Sequence, residues 1–231
     1  MEPEGTAARS AETVQTLSAN HNADREVLTA SQTVYSESVK PGLDRVLGLI
    51  LLLLSSPILL IAAIGIRVRI GKPVIYRQMR VGRDGEPFEL FKFRTMLTDR
   101  RQRTGPYEGQ DRRLTHKSPG DPRVLPLGKK LRSWRLDELP QLWNVVNGDM
   151  SLVGPRPELP EIVADYEDWQ HLRHKVRPGI TGLWQISERN GKPMHECTAM
   201  DLEYVDNVGI RQDISILART PGAMVGSKKG Y

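Results

Sequence analysis

The sequence predicts an α+β fold, mainly helical, in which one membrane element leads into a small soluble body. Three observations carry that prediction. A 21-residue stretch from Val46 to Ile66 contains no charged residue and has no polar face to set against water. Two short β-rich runs flank the turn sequence Gly82-Arg83-Asp84-Gly85, which reads as a hairpin. The rest alternates short helical patterns with proline- and glycine-rich breaks, the signature of small helices joined by loops. With 231 residues and a net charge of +5, the chain has room for one ordinary domain beside the membrane segment. The basic balance favours anionic partners.

Residues 1–38 are polar, mixed in charge and rich in Ala, Ser, Thr and Glu, with no signal-peptide pattern. They read as a flexible cytoplasmic tail. Residues 39–72 form the membrane unit. At about 1.5 Å per residue its uncharged stretch just matches a hydrocarbon core of about 30 Å. Pro57 interrupts it by removing one backbone donor, and Ser55 and Ser56 are placed to satisfy the carbonyls so freed. Basic residues stand on both flanks, Lys40 and Arg45 before and Arg67, Arg69 and Lys72 after. The positive-inside rule therefore gives no asymmetry. A kinked single crossing and a re-entrant hairpin both fit these residues.

Residues 73–231 form a cytoplasmic domain. Val74-Ile75-Tyr76 and Phe88–Phe93 are the hairpin strands, ringed by Arg77, Arg80, Arg83, Lys92 and Arg94. Residues 97–122, polar and broken by Gly and Pro, read as a long mobile loop. A helix is expected over Leu127–Arg135, continuing through Leu136-Asp137-Glu138-Leu139. Pro140 opens another helix, with Leu139, Leu142, Trp143 and Val146 at helical spacing until Asn147-Gly148. Ser151–Pro160, with three prolines, is expected to be irregular. Glu161–Arg173 reads as a helix with Trp169 and Leu172 inward, and Arg177–Gly182 as a rigid turn leading to Trp184-Gln185-Ile186. Asp201–Asn207 and Ile214–Thr220 read as short helices. The single cysteine, Cys197, excludes an internal disulfide and reads as a packing residue, and no Cys/His pair has zinc-ligand spacing.

The chemistry concentrates at Leu136-Asp137-Glu138-Leu139-Pro140. Adjacent carboxylates repel, so burying them together requires a cation. Arg132 and Arg135 precede the pair and Arg156 follows it. Arginine suits phosphate because its planar fork donates two parallel hydrogen bonds. A carboxylate can serve phosphoryl transfer as nucleophile, base or Mg²⁺ ligand. A surface salt-bridge group with no catalysis fits the spacing equally well.

Longer motifs separate these readings. LRSWRLDELPQLWNVVNGDMSLVGPRPELP resembles the signature of bacterial sugar transferases, the small monotopic polyprenol-phosphate phosphoglycosyl transferases. KPVIYRQMRVGRDGEPFELFKFRTM, DPRVLPLG and LRHKVRPGITGLWQ follow in the family's order, so the resemblance covers roughly Lys40 to the C-terminus. It implies that Asp137 attacks the sugar-linked phosphate of a UDP-sugar, releasing UMP, and that undecaprenyl phosphate then takes the phosphosugar. Glu138 would assist Asp137, and Mg²⁺ would sit at Asp137. Arg156 matches the family's phosphate motif, with Arg132, Arg94 and Arg177 as further substrate-binding candidates. Arg189 is a weaker one, because Glu188 stands where relatives commonly carry glycine. Ser56-Pro57 matches the pair that breaks the family's membrane helix, which implies a re-entrant hairpin, with amphipathic helices lying on the interface.

The resemblance thus predicts a hexose-1-phosphate transferase that starts exopolysaccharide or a related glycan at the cytoplasmic face of a bacterial inner membrane. Glucose or galactose is the favoured sugar. Expected partners are the UDP-sugar, undecaprenyl phosphate and membrane lipids, with a second copy of the chain or downstream glycosyltransferases as candidates. A membrane-tethered basic protein or scaffold without catalysis is the alternative. Nucleic acid is not expected, since the paired carboxylates would repel its phosphates.

Overall fold

The computed structural model describes residues 34–97, 124–187 and 197–226. Most of the tail, the loop at 98–122 and Arg189 therefore lie outside the described residues. The chain enters through a π-helical turn, Tyr35–Val39, already inside the stretch read as tail. It continues directly into α1, Lys40–Arg69, a 30-residue helix with Pro57 inside it. Pro57 has no N–H to offer the carbonyl of Leu53 four residues earlier. Ser56 Oγ donates to that carbonyl at 2.7 Å, and Ser55 Oγ donates to Leu52 O at 3.2 Å. The serines thus do what their placement predicts.

The middle of α1 is apolar and largely exposed, with Leu52 and Leu59 packed against the body. Leu53, Leu54, Leu60 and Ile61 are each more than 60 % exposed, and the helix is long and apolar enough to cross a membrane. Its two ends are anchored to the body. Near the N-terminal end, Gly48 brings α1 against Val145, where a Cβ would lie 2.9 Å from the valine Cγ1. At the start of the helix Lys40 Nζ lies 2.5 Å from Asp213 Oδ2, both buried. Tyr35 and Tyr204 donate to the same carboxylate at 2.8 Å each. Asp44 accepts from Ser151 Oγ at 2.7 Å and from Leu152 N at 3.2 Å. The far end packs Ala62 and Ile66 on Phe93 and Leu131.

The hairpin is as expected: β1, Ile75–Val81, pairs antiparallel with β2, Pro87–Phe93. Asp84 and Gly85 make the turn with positive φ, the residue types that accept it. Helix α2, Pro126–Ser133, is shorter than its sequence suggests. Arg135 adopts φ 51°, ψ 21°, and Leu136–Glu138 becomes a separate 3₁₀ turn rather than a continuation. Helix α3, Gln141–Asn147, starts after Pro140 and stops at Gly148, whose φ is 92°. Asn144 ties α3 to β2, accepting from Phe91 N at 3.1 Å and donating to Glu89 O at 2.7 Å.

Three expectations are corrected downstream. Ser151–Val153 is a strand, β3, because the prolines at 155, 157 and 160 all follow it. The presumed turn holds β4, Gly179–Thr181, parallel to β3 with Ser151 opposite Gly179. The helix expected over Glu161–Arg173 is split into α4, Pro160–Val163, and a 3₁₀ segment, Gln170–Lys175. A short helix α5, Leu183–Ile186, follows β4, and α6 runs from Thr198 to Asp206. The last helix, α7, Ile210–Gly226, is longer than predicted and contains Pro221. The core gathers Leu90, Leu142, Val145, Val153, Tyr204 and Ile216 from five elements, with Met150 from the connection between α3 and β3.

Because Lys40 and Asp213 are buried together, Lys40→Met leaves an unpaired carboxylate and should cost about 3–5 kcal/mol. Thermal unfolding of the detergent-extracted chain measures this. The double variant Lys40→Met/Asp213→Leu should regain most of the loss.

Candidate active site

The two carboxylates are adjacent in sequence and unequal in environment. Arg135 holds a left-handed backbone, which for a non-glycine residue costs on the order of 1 kcal/mol. That turn delivers Glu138 into the protein, 8 % exposed, and leaves Asp137 half-buried. Three cations close on Glu138. Arg156 Nη2 donates to its Oε1 at 2.5 Å, Arg135 Nη1 lies 3.6 Å from Oε2, and Lys92 Nζ lies 3.9 Å from Oε1. Burial pushes the Glu138 carboxyl up, but Arg156 and Lys92 outweigh it and hold the group well below the usual carboxylate range. Burial and the charge of Glu138 push Asp137 the other way, upward, against the pull of Lys92, Arg132 and Arg156. One carboxylate is held as an anion; its neighbour takes up a proton more readily.

Arg156 comes from the loop Gly154-Pro155-Arg156-Pro157, and the backbone crossing beneath it explains the glycines. A Cβ on Gly154 would collide with Arg177 O, and one on Gly179 with Gly154 N. Gly154 N donates to Thr181 O at 2.9 Å and Gly179 N to Pro155 O at 2.8 Å. The loop leaves β3 under full constraint.

Two site residues come from the hairpin. Register places Tyr76 opposite Lys92 and Arg80 opposite Phe88, so Arg80, Leu90 and Lys92 share one face. Leu90 on that face is buried in the core, and the two cations beside it line a groove with Gln141, Arg156 and Pro157. Arg80 Nη1 donates to Pro157 O at 3.1 Å and lies 3.6 Å from Glu158 Oε1. Burial and the nearby Arg156 lower Arg80 to about 10, and the same causes lower Lys92 to about 8. Among the described residues, nothing bonds to the buried Nε2 of Gln141. Three cations and an amide donor around one groove suit an anion with several oxygens.

The other predicted residues separate. Arg132 stays with the site, its Nε donating to Thr95 Oγ1 at 2.8 Å and its charge lowering Asp137. Arg94 is turned to the exit of α1, where Nη1 and Nη2 donate to Lys72 O and Ile70 O at 2.7 Å each. Arg177 donates to Gly148 O at 2.9 Å and its charged neighbours are Arg83, Arg45, Asp44 and Glu37 rather than the carboxylate pair. Sequence reasoning missed Lys92, Arg80 and Gln141 as site residues. The signal for the first two is the two-residue period of Phe88–Phe93, which puts a lysine on the same face as a core leucine.

For a divalent cation, the described residues contain no group of three or more ligating side chains. Among them no hydrogen bond or ion pair closes on the Asp137 carboxylate. One open carboxylate beside an oxygen-anion groove fits Mg²⁺, which commonly takes one or two carboxylates and completes its shell with water and substrate phosphate.

Residues 35–227 match the family model described as bacterial sugar transferase. The chain belongs to this family. It is 41 % identical over 177 residues to the sugar transferase EpsL of Bacillus subtilis, covering 77 % of this chain and 82 % of that protein. It is 36 % identical over 198 residues to the exopolysaccharide production protein ExoY of Rhizobium meliloti, covering 83 % and 88 %. The UDP-glucose:undecaprenyl-phosphate glucose-1-phosphate transferase of Escherichia coli is 39 % identical over 193 residues, which are 79 % of this chain and 39 % of that one.

The unequal ionisation predicts a bell-shaped pH dependence of sugar transfer. Activity should rise with pH as Asp137 ionises and fall above about pH 8 as Lys92 loses its charge. Between about 8 and the ordinary 10.5 the unfolded chain binds the extra proton at this lysine, so the Lys92 contribution to stability rises with pH there and its deprotonation does not itself favour unfolding. Lys92→Arg should move the alkaline limb upward; a limb that stays in place would assign it to another group.

Proposed function

We propose that the chain transfers a sugar-1-phosphate from a UDP-sugar to undecaprenyl phosphate, the first step of exopolysaccharide or related glycan synthesis. The observation that carries this reading is the open, upward-shifted Asp137 beside a groove of Arg80, Lys92, Gln141 and Arg156. The donor and acceptor classes come from relatives whose names state them.

In the first step an Asp137 carboxylate oxygen attacks the phosphorus bonded to the sugar. The bond to the bridging diphosphate oxygen breaks, and UMP leaves with that electron pair. In the second step an oxygen of undecaprenyl phosphate attacks the same phosphorus, and Asp137 leaves as a carboxylate. The products are undecaprenyl diphosphate-sugar and the starting enzyme. Arg156, Arg80 and Lys92 neutralise the phosphate oxygens as charge builds on them. Glu138 holds Arg156 and Lys92 in place and, as a fixed anion, keeps the Asp137 carboxyl from being drawn into a permanent ion pair. Asp137 is the residue that would hold Mg²⁺, which when bound offsets negative charge on the diphosphate.

We read α1 as re-entrant, with both flanks on the cytoplasmic face of the inner membrane. The carbonyl freed at Leu53 and its capture by Ser56 support a bend at membrane depth, and basic residues flank both sides. Helix α7 exposes Ile210, Ile214 and Leu217, a stripe at helical spacing that suits the headgroup boundary. A soluble nucleotide sugar and a lipid phosphate then meet at one depth.

Asp137→Asn should lower UMP release by about a thousandfold or more while leaving membrane association unchanged. Release is measured from a panel of UDP-sugars, with and without undecaprenyl phosphate and Mg²⁺; an active Asn variant would remove Asp137 as the nucleophile. Pro57→Ala should carry one flank of α1 to the opposite face, read by cysteine labelling from both sides. Unchanged labelling would take the bend away from Pro57.

A further inference from the structure

The loop that carries Arg156 is gripped at three consecutive carbonyls, each by a different element. Pro155 O accepts from Gly179 N at 2.8 Å, Arg156 O from Arg173 Nη2 at 2.7 Å, and Pro157 O from Arg80 Nη1 at 3.1 Å. Prolines at 155 and 157 remove two of the loop's own donors, so the loop cannot secure itself by backbone hydrogen bonds to the same extent. Its placement depends on donors from outside.

Arg173 is built for that task. It is 1 % exposed, the bulkiest of the fully buried side chains. Nε and Nη2 fork onto Asp201 Oδ2 at 2.9 and 2.6 Å, and Nη1 donates to Tyr166 Oη at 2.9 Å. Asp201 is 2 % exposed and sits on α6, while Tyr166 precedes the 3₁₀ segment that carries Arg173. Stability alone does not demand this arrangement, because a buried ion pair is commonly no better than apolar residues of the same volume. What the guanidinium supplies that an apolar side chain cannot is a rigid, directed donor to the Arg156 carbonyl.

We infer that Arg173, held by Asp201 and Tyr166, is a positioning residue for sugar-phosphate transfer. It fixes the backbone of Arg156, so that the Arg156 fork stands between Glu138 and the substrate phosphate. Relayed through one residue, the chain of contacts runs Asp201, Arg173, Arg156, Glu138. This assignment rests on the transfer reading above and specifies which buried group aligns its phosphate-binding arginine. Arg173 itself touches no reacting atom.

The test measures kcat and KM for UMP release together with thermal unfolding, for the full detergent-extracted chain and four variants. Arg173→Lys keeps the charge and loses the fork; it should lower kcat at least tenfold with a melting temperature near that of the parent. Arg173→Met/Asp201→Leu removes both charges and should stay folded yet show the same loss of kcat. Arg156→Lys provides the background for the coupling test. If Arg173 acts through Arg156, adding Arg173→Lys to Arg156→Lys should lower kcat by less than threefold more. Equal losses of kcat in both backgrounds, or a folded Arg173→Met/Asp201→Leu variant with parental kcat, would overturn the assignment. A parent chain that is folded and releases no UMP from any UDP-sugar would instead overturn the transfer reading, and the assignment with it.

Discussion

Two neighbouring carboxylates cannot both be buried as anions unless cations surround them, and the arrangement of this protein follows from that constraint. Glu138 takes the buried position and recruits Arg156, Arg135 and Lys92. Asp137 is left with the half-open position and a raised carboxyl. The left-handed Arg135 ends α2 before the pair and re-aims both carboxylates as a separate 3₁₀ turn, from which Glu138 enters the body. A local backbone cost is thus exchanged for two carboxylates with different acidities, the condition under which one can act while the other organises.

The cations arrive from three separate parts of the chain: a hairpin face, a helix–turn junction and a proline-bounded loop. Each is held by buried polar contacts rather than by apolar packing alone. Asn144 fastens α3 to β2, the glycine crossing of β3 and β4 sets the loop, and Arg173 secures its carbonyl. Such polar ties are directional, so they fix orientation where close-packed aliphatic groups would fix mainly distance.

The same device joins the membrane helix to the body. Lys40, Asp44 and Asp213 lie within the protein at the helix entrance, while along the apolar middle of α1 only one side, with Gly48, Leu52 and Leu59, packs on the body and the rest is exposed. The helix is therefore held at its ends and leaves a largely exposed apolar surface between them, long enough to enter a membrane.

Local pattern alone determined the long apolar stretch, the serine capture of the carbonyl freed by Pro57, the hairpin and the stop at Gly148. These are properties of residues close together in the chain, which backbone geometry and hydropathy decide without help. The family motifs pointed to Arg156 and Arg132, and both lie near the carboxylate pair. The parallel pairing of two three-residue strands 28 positions apart had no local signal, nor did the breaks that turned two expected helices into shorter pieces. Arg94 and Arg177 look like Arg156 in sequence, and only packing sent one to the end of α1 and the other to the Gly148 carbonyl at the end of α3. Lys92 and Arg80 look like solvated cations until register and the burial of Leu90 place their strand face inward. Charge and periodicity name candidate residues; which of them meet is a long-range matter, settled by which buried polar groups find partners.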